Sequence, residues 1–297
     1  MSRLAKVSPA TVSRVLTGNA SVAQLTKERV LLAMQELGYT PNVFARSLAT
    51  NRSYSVGVIV NDLSSPYFGS LLRGIENAVE AAGMQLVVAS GHTRRESERK
   101  AVELLQQRRP DALIVHLEET PDEDLVRWAS ATTPLVLVGR YVAELEHVSV
   151  HLDNELGGFL ATQYLISRGH TRIAHLSGPL KLADSRARLA GYRRALEEAA
   201  LVVDEHLVIE GDFQEDGGQR AAQKLLELHE LNPKSNLKET VTAIFAANDQ
   251  MAAGVLRHLR ERGLRVPHDV SLIGYDDIIF ARYVHPELTT VRQPLEE

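Results

Sequence analysis

From Tyr54 onward the chain alternates short, β-branched apolar runs with longer amphipathic stretches, a pattern that few architectures can accept. The runs are Val56 to Val60, Leu86 to Ala89, Ala112 to Val115, Leu135 to Val138, Ile173 to Leu176, Leu207 to Ile209, Ala243 to Phe245 and Val270 to Gly274. Between them lie helical patterns such as Phe68, Leu71, Leu72, Ile75, Val79 and Ala82, or the stretch Ala187 to Ala199. Strands that are apolar along their whole length must be buried on both faces, so the pattern predicts parallel sheets covered on each side by helices. That many units exceed one small sheet. Val148 to Asn154, after four strand–helix units, is the natural crossing into a second, similar half. A repeated Gly-His-Thr-Arg, at Gly91 and Gly169, follows a strand in one place and a helix in the other and is read as coincidence.

The first forty residues follow another rule, with short helices and tight punctuation. Ser8 is placed to cap a helix Pro9 to Leu16, with proline at the first helical position and Gly18 ending it. Thr26 is expected to cap a second helix whose Val30, Leu31, Met34 and Leu37 make one apolar face, with Gly38 just past its end. Pro41 closes the unit. Val43 to Thr50 has the pattern of a third short helix, but Val43, Phe44 and Leu48 are too few apolar residues to hold it alone.

Charge divides the chain at the same place. Residues 1–60 hold seven basic and two acidic side chains, a balance of +5, so the remainder must carry −10 to reach the whole-chain value of −5. A small basic module that meets a polyanion, fused to an acidic body, is the reading. The 44% hydrophobic and 24% charged content is that of globular material rather than disordered or collagenous chains. No apolar run approaches the roughly 20 residues of a membrane-spanning helix, and residues 1–10 lack a signal peptide's apolar stretch. A soluble protein without membrane contact is expected. The absence of cysteine removes disulfides, thiolate metal sites and cysteine nucleophiles, and fits a reducing cytoplasm.

Val7 to Leu16 is the sharpest signal. As a helix entering a major groove it would expose Pro9, Ala10, Thr11, Ser13 and Arg14 and turn Val12, Val15 and Leu16 inward; Arg14 can pair bidentately with guanine, and small hydroxyls reach phosphate or base edges. A capped surface helix with one ordinary arginine explains the run equally well in isolation. The +5 balance and the helices that follow favour DNA.

Here the residues carry a family resemblance. Val7 to Leu16, Val30 to Asn42 and the run Ala45-Arg-Ser-Leu48 resemble the headpiece of the lactose/galactose repressor family of bacterial transcription regulators. The likeness continues through Ser65-Pro-Tyr-Phe68, Arg73-Gly-Ile-Glu76, Asp153-Asn154, Arg168-Gly-His170, Ser177-Gly-Pro179, Arg188-Leu-Ala-Gly-Tyr192, Asn248-Asp249, Gly274-Tyr-Asp-Asp277 and Leu288-Thr-Thr290. It covers essentially the whole chain, and Gly157 to Leu196 looks most like ribose-operon repressors.

The resemblance implies a small all-α helix-turn-helix headpiece over residues 1–40, a hinge helix and linker over 41–53, and an α/β bilobal, periplasmic-binding-protein-like body over 54–297. The body's parallel-sheet subdomains would span about 54–152 and 153–291. Pro9 to Leu16 would be the recognition helix. Val43 to Thr50 would be a hinge helix ordered on specific DNA, with Arg46 beside it and Leu48 as the wedge that opens a minor-groove step. A core leucine is the weaker reading of Leu48. The partners implied are a pseudo-palindromic double-stranded operator, a second copy in a homodimer, and a small effector.

Sugar recognition needs planar groups and fixed polar groups in a cleft, and the family positions that would supply them are Asp62, Phe68, Arg186, Phe213, Asn248, Asp276 and Gln293. Phe68 and Phe213 also suit a core, and Asp276 a helix cap. Purine-responsive relatives carry arginine and threonine where this chain has Leu182 and Asp184, whereas sugar-responsive relatives have an arginine matching Arg186. A sugar such as ribose is therefore expected, with a purine or nucleoside as the alternative. Gly139-Arg140 departs from the acidic residue that some sugar-binding relatives place there. Relative to the family pattern the chain opens at only the last turn of the first helix, so Leu4 and Ala5 are expected to lack partners, and it stops where relatives cross back into the first half.

Catalysis finds no support. There is no Gly-x-Ser-x-Gly elbow, phosphate-binding Gly-rich loop or His-Glu-x-x-His pair. His151, Asp153 and Glu155 alternate, but alternation at a strand end gives that spacing without a metal. Neither metal nor cofactor is expected. The competing function is a sugar-binding or sugar-modifying protein whose basic amino terminus is incidental.

Overall fold

A computed structural model of the chain describes residues 1–16, 22–39, 47, 50, 52–228 and 241–297. The two helices of the amino-terminal unit are α1, Pro9–Leu16, and α2, Gln24–Glu36. Ser8 tethers the start of α1: its Oγ accepts from the Thr11 backbone N–H at 3.1 Å and shares a 2.9 Å hydrogen bond with the Thr11 hydroxyl. Val12 and Val15 turn inward, as their spacing predicts, onto Ala5, Val30 and Ala33. Ala5 is thus a core residue, contrary to expectation, while Leu4 stays exposed.

Two expectations for α2 fail. The helix begins one turn earlier than Thr26, at Gln24 after Ala23, and no side chain caps it. Its buried face is Val30 and Ala33 with Met34 packed against them, whereas Leu31 and Leu37 are exposed. Apolar residues run most of the way round this helix, so periodicity alone allowed two faces. Gly38 stands past its end at φ +58, the left-handed position that favours glycine. Of Val43 to Thr50 only Ser47 and Thr50 are described, both helical; Arg46 and Leu48 lie outside the described residues.

The body consists of two five-stranded sheets, parallel throughout. The first comprises β1 Ser55–Val60, β2 Gln85–Ser90, β3 Ala112–Val115, β4 Leu135–Val138 and β5 Ser149–Val150, in spatial order β2-β1-β3-β4-β5. Its helices are α3 Pro66–Ala81, α4 Arg95–Gln107 and α5 Asp122–Ala129. The pleat shows why β1 is continuously apolar. Val56, Val58 and Val60 pack with Phe68 and Val79 of α3, while Ile59 faces the cluster containing Val102 and Leu105 of α4.

The chain crosses over after β5, and α6, Asn154–Ser167, opens the second lobe with its first turn capped by Asp153, whose Oδ1 accepts from the Leu156 N–H at 2.8 Å. There follow β6 Ile173–Ser177, α7 Ala183–Glu198, β7 Val208–Glu210, α8 Glu215–Leu228, β8 Ala243–Ala246, α9 Asp249–Glu261, β9 Ser271–Asp276, α10 Phe280–Tyr283 and β10 Thr289–Arg292. The order β10-β9-β8-β6-β7 repeats the plan of the first sheet. Two strands went unforeseen: β5 has only two residues, and β10 is an edge strand with the polar sequence Thr-Thr-Val-Arg. Leu207 closes a 3-10 turn rather than starting β7. Glu296 then lies on α3 of the first lobe, where an added Cβ on Gly74 would stand 2.9 Å from its Cα.

Helices α6 and α7 pack so closely that an added Cβ on Gly158 would run into the Arg188 backbone, and one on Gly191 into that of Glu155. This contact sets the position of Arg188. No helix among the described residues is long and apolar enough to cross a membrane.

Candidate functional site

In an open parallel sheet the loops beyond the carboxyl ends of the strands form the natural crevice, because strand order reverses there and neighbouring connections diverge. Here two such sheets present their carboxyl ends to each other, and a cavity of about 310 Å³ lies between them. Asn61, Asp62, Ser65, Tyr67, Phe68, Thr93, His116 and Glu118 line it from the first lobe. Pro179, Lys181, Leu182, Asp184, Arg188, Asp212, Phe213, Gln214, Asn248, Gln250 and Asp276 line it from the second. Polar contacts bridge the lobes at its margin: the Ser65 hydroxyl donates to Gln250 Oε1 at 3.1 Å, and Lys181 Nζ donates to Glu119 at 2.6 Å.

Five of the seven expected effector positions meet in this cavity: Asp62, Phe68, Phe213, Asn248 and Asp276. Gln293 stands behind Asp276, its Nε2 donating to Asp276 Oδ1 at 2.6 Å. Arg186 lies apart. It donates to the carbonyls of Leu180 and Lys181 and lines a smaller neighbouring cavity of about 160 Å³ together with Glu118, Gly139 and Arg140. Arg140 turns its guanidinium to the carbonyl of Thr120 at 2.7 Å and to Asp122.

The arginine inside the main cavity is Arg188, two residues beyond Arg186, which sequence reasoning did not single out as a site residue. It is buried, donates from Nε to Asn154 Oδ1 at 2.8 Å and from Nη1 to the Ala247 carbonyl at 2.6 Å, and its guanidinium lies 3.7 Å from both the Tyr275 ring centre and Asp276 Oδ1. Burial pushes the Asp276 carboxyl up to about 8; the guanidinium pulls it the other way, but at 3.7 Å, without a direct hydrogen bond, it does not prevail. Asp276 and Phe213 sit at φ +113 and +65, uncommon backbone values for residues with side chains. The Phe213 conformation is held by Asn248, whose Nδ2 donates to its carbonyl at 3.0 Å while Oδ1 accepts from the Met251 N–H at 2.9 Å and caps α9. Such locally strained positions concentrate where ligands are held.

In the amino-terminal unit Pro9, Ala10, Ser13 and Arg14 are exposed on α1, with Thr11 half-buried against Ser8. Where the chain enters the body, one carboxylate gathers three successive residues. Asp111, just ahead of β3, accepts from the backbone N–H groups of Ser53 at 2.9 Å and Tyr54 at 3.1 Å and from Arg52 Nε at 3.3 Å. Among the described residues no group of three His, Cys, Asp or Glu side chains is placed to hold a metal ion. Asp153 is engaged in its helix cap and Glu155 with Arg194.

A small helical unit with an exposed polar face, joined to two parallel-sheet lobes around a polar cavity, has the parts of a ligand-responsive DNA-binding regulator. Comparison with known proteins agrees. Residues 2–42 match the bacterial regulatory proteins of the lacI family, and residues 162–297 match the periplasmic binding protein-like domain. The chain is 38% identical over 295 residues to the HTH-type transcriptional regulator GalR of Escherichia coli (strain K12), covering 99% of this chain and 83% of that protein. It is 38% identical over 298 residues to the HTH-type transcriptional repressor PurR of Vibrio atlanticus (strain LGP32), covering 99% and 86%. It is 36% identical over 299 residues to the ribose operon repressor of Escherichia coli (strain K12), covering 100% and 88%. Among solved structures, the lac repressor dimer bound to operator and the anti-inducer ONPF superposes with a TM-score of 0.82 at 30% identity, covering 99% of this chain and 86% of that one. The chain belongs to the lacI family of bacterial regulatory proteins and is a DNA-binding transcriptional regulator.

Proposed function

We propose that this regulator is a homodimeric repressor whose operator affinity is set by a small sugar bound between the lobes, a pentose such as ribose or a hexose of similar size. The observation that carries the reading is the cavity itself. Its volume of about 310 Å³ sits at the lower end of the roughly 300–1,000 Å³ usual for small-molecule sites. Its walls combine aromatic surfaces, from Tyr67, Phe68 and Phe213, with the fixed polar groups of Asn248, Arg188 and Asp276. That combination suits a ligand with hydroxyls around its edge and C–H faces above and below. In this reading Asp62, Phe68, Phe213, Asn248 and Asp276 touch the effector, and Gln293 orients Asp276. Arg186 supports the loop above the ligand through Leu180 and Lys181, and Arg188 takes the arginine's role in the site.

Pro9, Ala10, Thr11, Ser13 and Arg14 would read or position the operator, with Arg46 and Leu48 following in the minor groove. Because the effector touches both lobes, its binding biases their relation and, through Asp111, the placement of the segment that leads to the DNA. Such coupling is reciprocal. Overall identity does not choose the effector, since the GalR and PurR relatives score alike at 38%. Calorimetric titration of the full chain with ribose, galactose and other monosaccharides, beside purine bases and nucleosides, decides between them. Binding by a purine and by no sugar refutes the reading, as does an effector affinity that operator DNA leaves unchanged.

A further inference from the structure

Three polar atoms on the first lobe's wall of the cavity have no hydrogen-bond partner among the described residues: Asn61 Oδ1, His116 Nδ1 and Glu118 Oε2. Asn61 and His116 are only 6% and 5% exposed, all three residues line the cavity, and His116 Nδ1 lies 3.9 Å from Glu118 Oε1. An amide oxygen can only accept, and so can the Glu118 carboxyl once a neighbouring cation draws its raised pKa down and leaves it ionised. His116 can do the same, because burial pushes its pKa down and keeps the ring neutral, with one nitrogen free of a proton. The Phe68 ring, edge-on at 5.0 Å, packs against this imidazole. Buried polar groups in native proteins are nearly always paired, so three neighbouring acceptors mark a place where a ligand brings donors.

Charge narrows the chemistry. Among the described residues, Asp62, Glu118 and Asp184 line the cavity, beside Asp212 paired with Arg220 and Asp276 whose raised carboxyl keeps its proton, against the two cations Lys181 and Arg188. Both cations are engaged, Lys181 with Glu119 and Arg188 with Asn154, the Ala247 carbonyl and Asp276. The bases of the adjoining smaller cavity, Arg140 and Arg186, likewise donate to main-chain carbonyls. Positive charge is committed here and acceptors are in excess.

We infer that the effector carries a protonated amine, as an amino sugar does, directed at Asn61, His116 and Glu118. An ammonium offers three donors and no acceptor, which matches the three atoms, and its charge is opposite to that of the surrounding carboxylates. Burial, and after it the fields of Asp184 and Glu98, raise the Glu118 pKa to about 7 against the pull of an Asn61 hydrogen bond, as befits a carboxylate without a counter-charge. The inference rests on the sugar reading of the cleft and sharpens it.

Calorimetry on the full chain at about pH 7, below the usual pKa range of amines, compares D-glucosamine and D-galactosamine with D-glucose and D-galactose. At least one amino sugar should bind about tenfold more tightly than its parent, the worth of a charge-assisted hydrogen bond. Glu118→Gln should shrink that ratio and Asn61→Asp should enlarge it, both measured on protein whose melting temperature shows it folded. Neutral sugars binding as well as their amino counterparts overturn the inference but leave the sugar reading standing. Preference for a hexose 6-phosphate, or an amine preference indifferent to both substitutions, also overturns it. Purine binding with no sugar binding removes both.

Discussion

A methyl added at Gly178 would meet the proposed effector site at the Phe213 ring, which makes it a test of whether that ring shapes the cavity. Gly178 follows β6 and does not line the cavity. Its φ is not in the left-handed region, so alanine is allowed there by the backbone. An added Cβ, however, would stand 2.5 Å from Phe213 Cε1 and closer still to Cζ, where ordinary contact begins at 3.4 Å. Gly178→Ala must therefore drive the ring back by about 1 Å. Overpacking of this size costs roughly 1–3 kcal/mol where the neighbours are rigid. Here the obstacle is the free end of one half-buried side chain, so most of the cost should appear as displacement of the ring and little as lost stability. If the ring forms a wall of the ligand site, losing about 1.4–2.8 kcal/mol of contact lowers effector affinity about ten- to a hundredfold, with the melting temperature nearly unchanged. Titration calorimetry with the effector identified from the sugar panel reads this directly. Adding Phe213→Leu to Gly178→Ala should recover part of the affinity, because the shorter side chain clears the new methyl. Wild-type affinity in Gly178→Ala would refute the role of Phe213, and so would a double variant no better than the single one.

Other consequences can be checked in the same preparations. Asn248→Ser keeps an oxygen to cap α9 but removes the donor to the Phe213 carbonyl, so it should melt above Asn248→Ala by the worth of a cap, about 1 kcal/mol, while both weaken effector binding. The raised Asp276 and Glu118 carboxyls, at about 8 and 7, hold protons in the folded chain that the unfolded chain releases, so stability should fall as pH rises through that window. Buried His175, pushed down to about 3 by burial, acts with the opposite sign below its ordinary 6.5, which leaves the decline visible between about pH 6.5 and 8.5 at no more than about 1.4 kcal/mol per pH unit per group. Thermal melts of Asp276→Asn should show a shallower slope; an equal slope would contradict the assignment. Arg14→Ala should cost roughly 1–3 kcal/mol of operator binding and relax preference at one base position, whereas a uniform loss across sequences would make Arg14 a phosphate contact. Asp111→Ala should leave effector affinity intact yet shrink the effect of effector on operator binding; full retention of that effect would show that the coupling runs elsewhere.

What the sequence revealed followed from how each element is covered. Strands such as Val56 to Val60 were plain because burial on both faces requires unbroken apolar runs, and the crossing near residues 151–153 followed from counting them. β10 was hidden because an edge strand needs no such run, and Thr289 to Arg292 reads as polar loop. In α2, the exposed Leu25, Leu31 and Leu32 leave apolar residues on several sides, so spacing could not single out Val30 and Ala33. Phe68, Asn248 and Asp276 were legible through the family resemblance, and in the structure each lies at a strand's carboxyl end or near the helix start beyond it. Arg188 was not. An arginine in a helix crowded with arginines looks like surface, and only the backbone contact at Gly158 and Gly191 shows that its side chain is carried inward to Asp276 and the cavity. His116 and Glu118 gave no signal in the sequence, since their importance lies in the partners they lack.

The Asp111 attachment has a mechanical consequence. One carboxylate grips Arg52, Ser53 and Tyr54, and the last described helical residue before them is Thr50. Three successive residues are thereby fixed against the start of β3. A loosely held chain would absorb a small shift of that strand as a change in its own path. Residues clamped in this way have no such freedom, and a displacement of Asp111 carries all three with it. The direction in which the chain enters the body is then decided by one side chain of the first lobe.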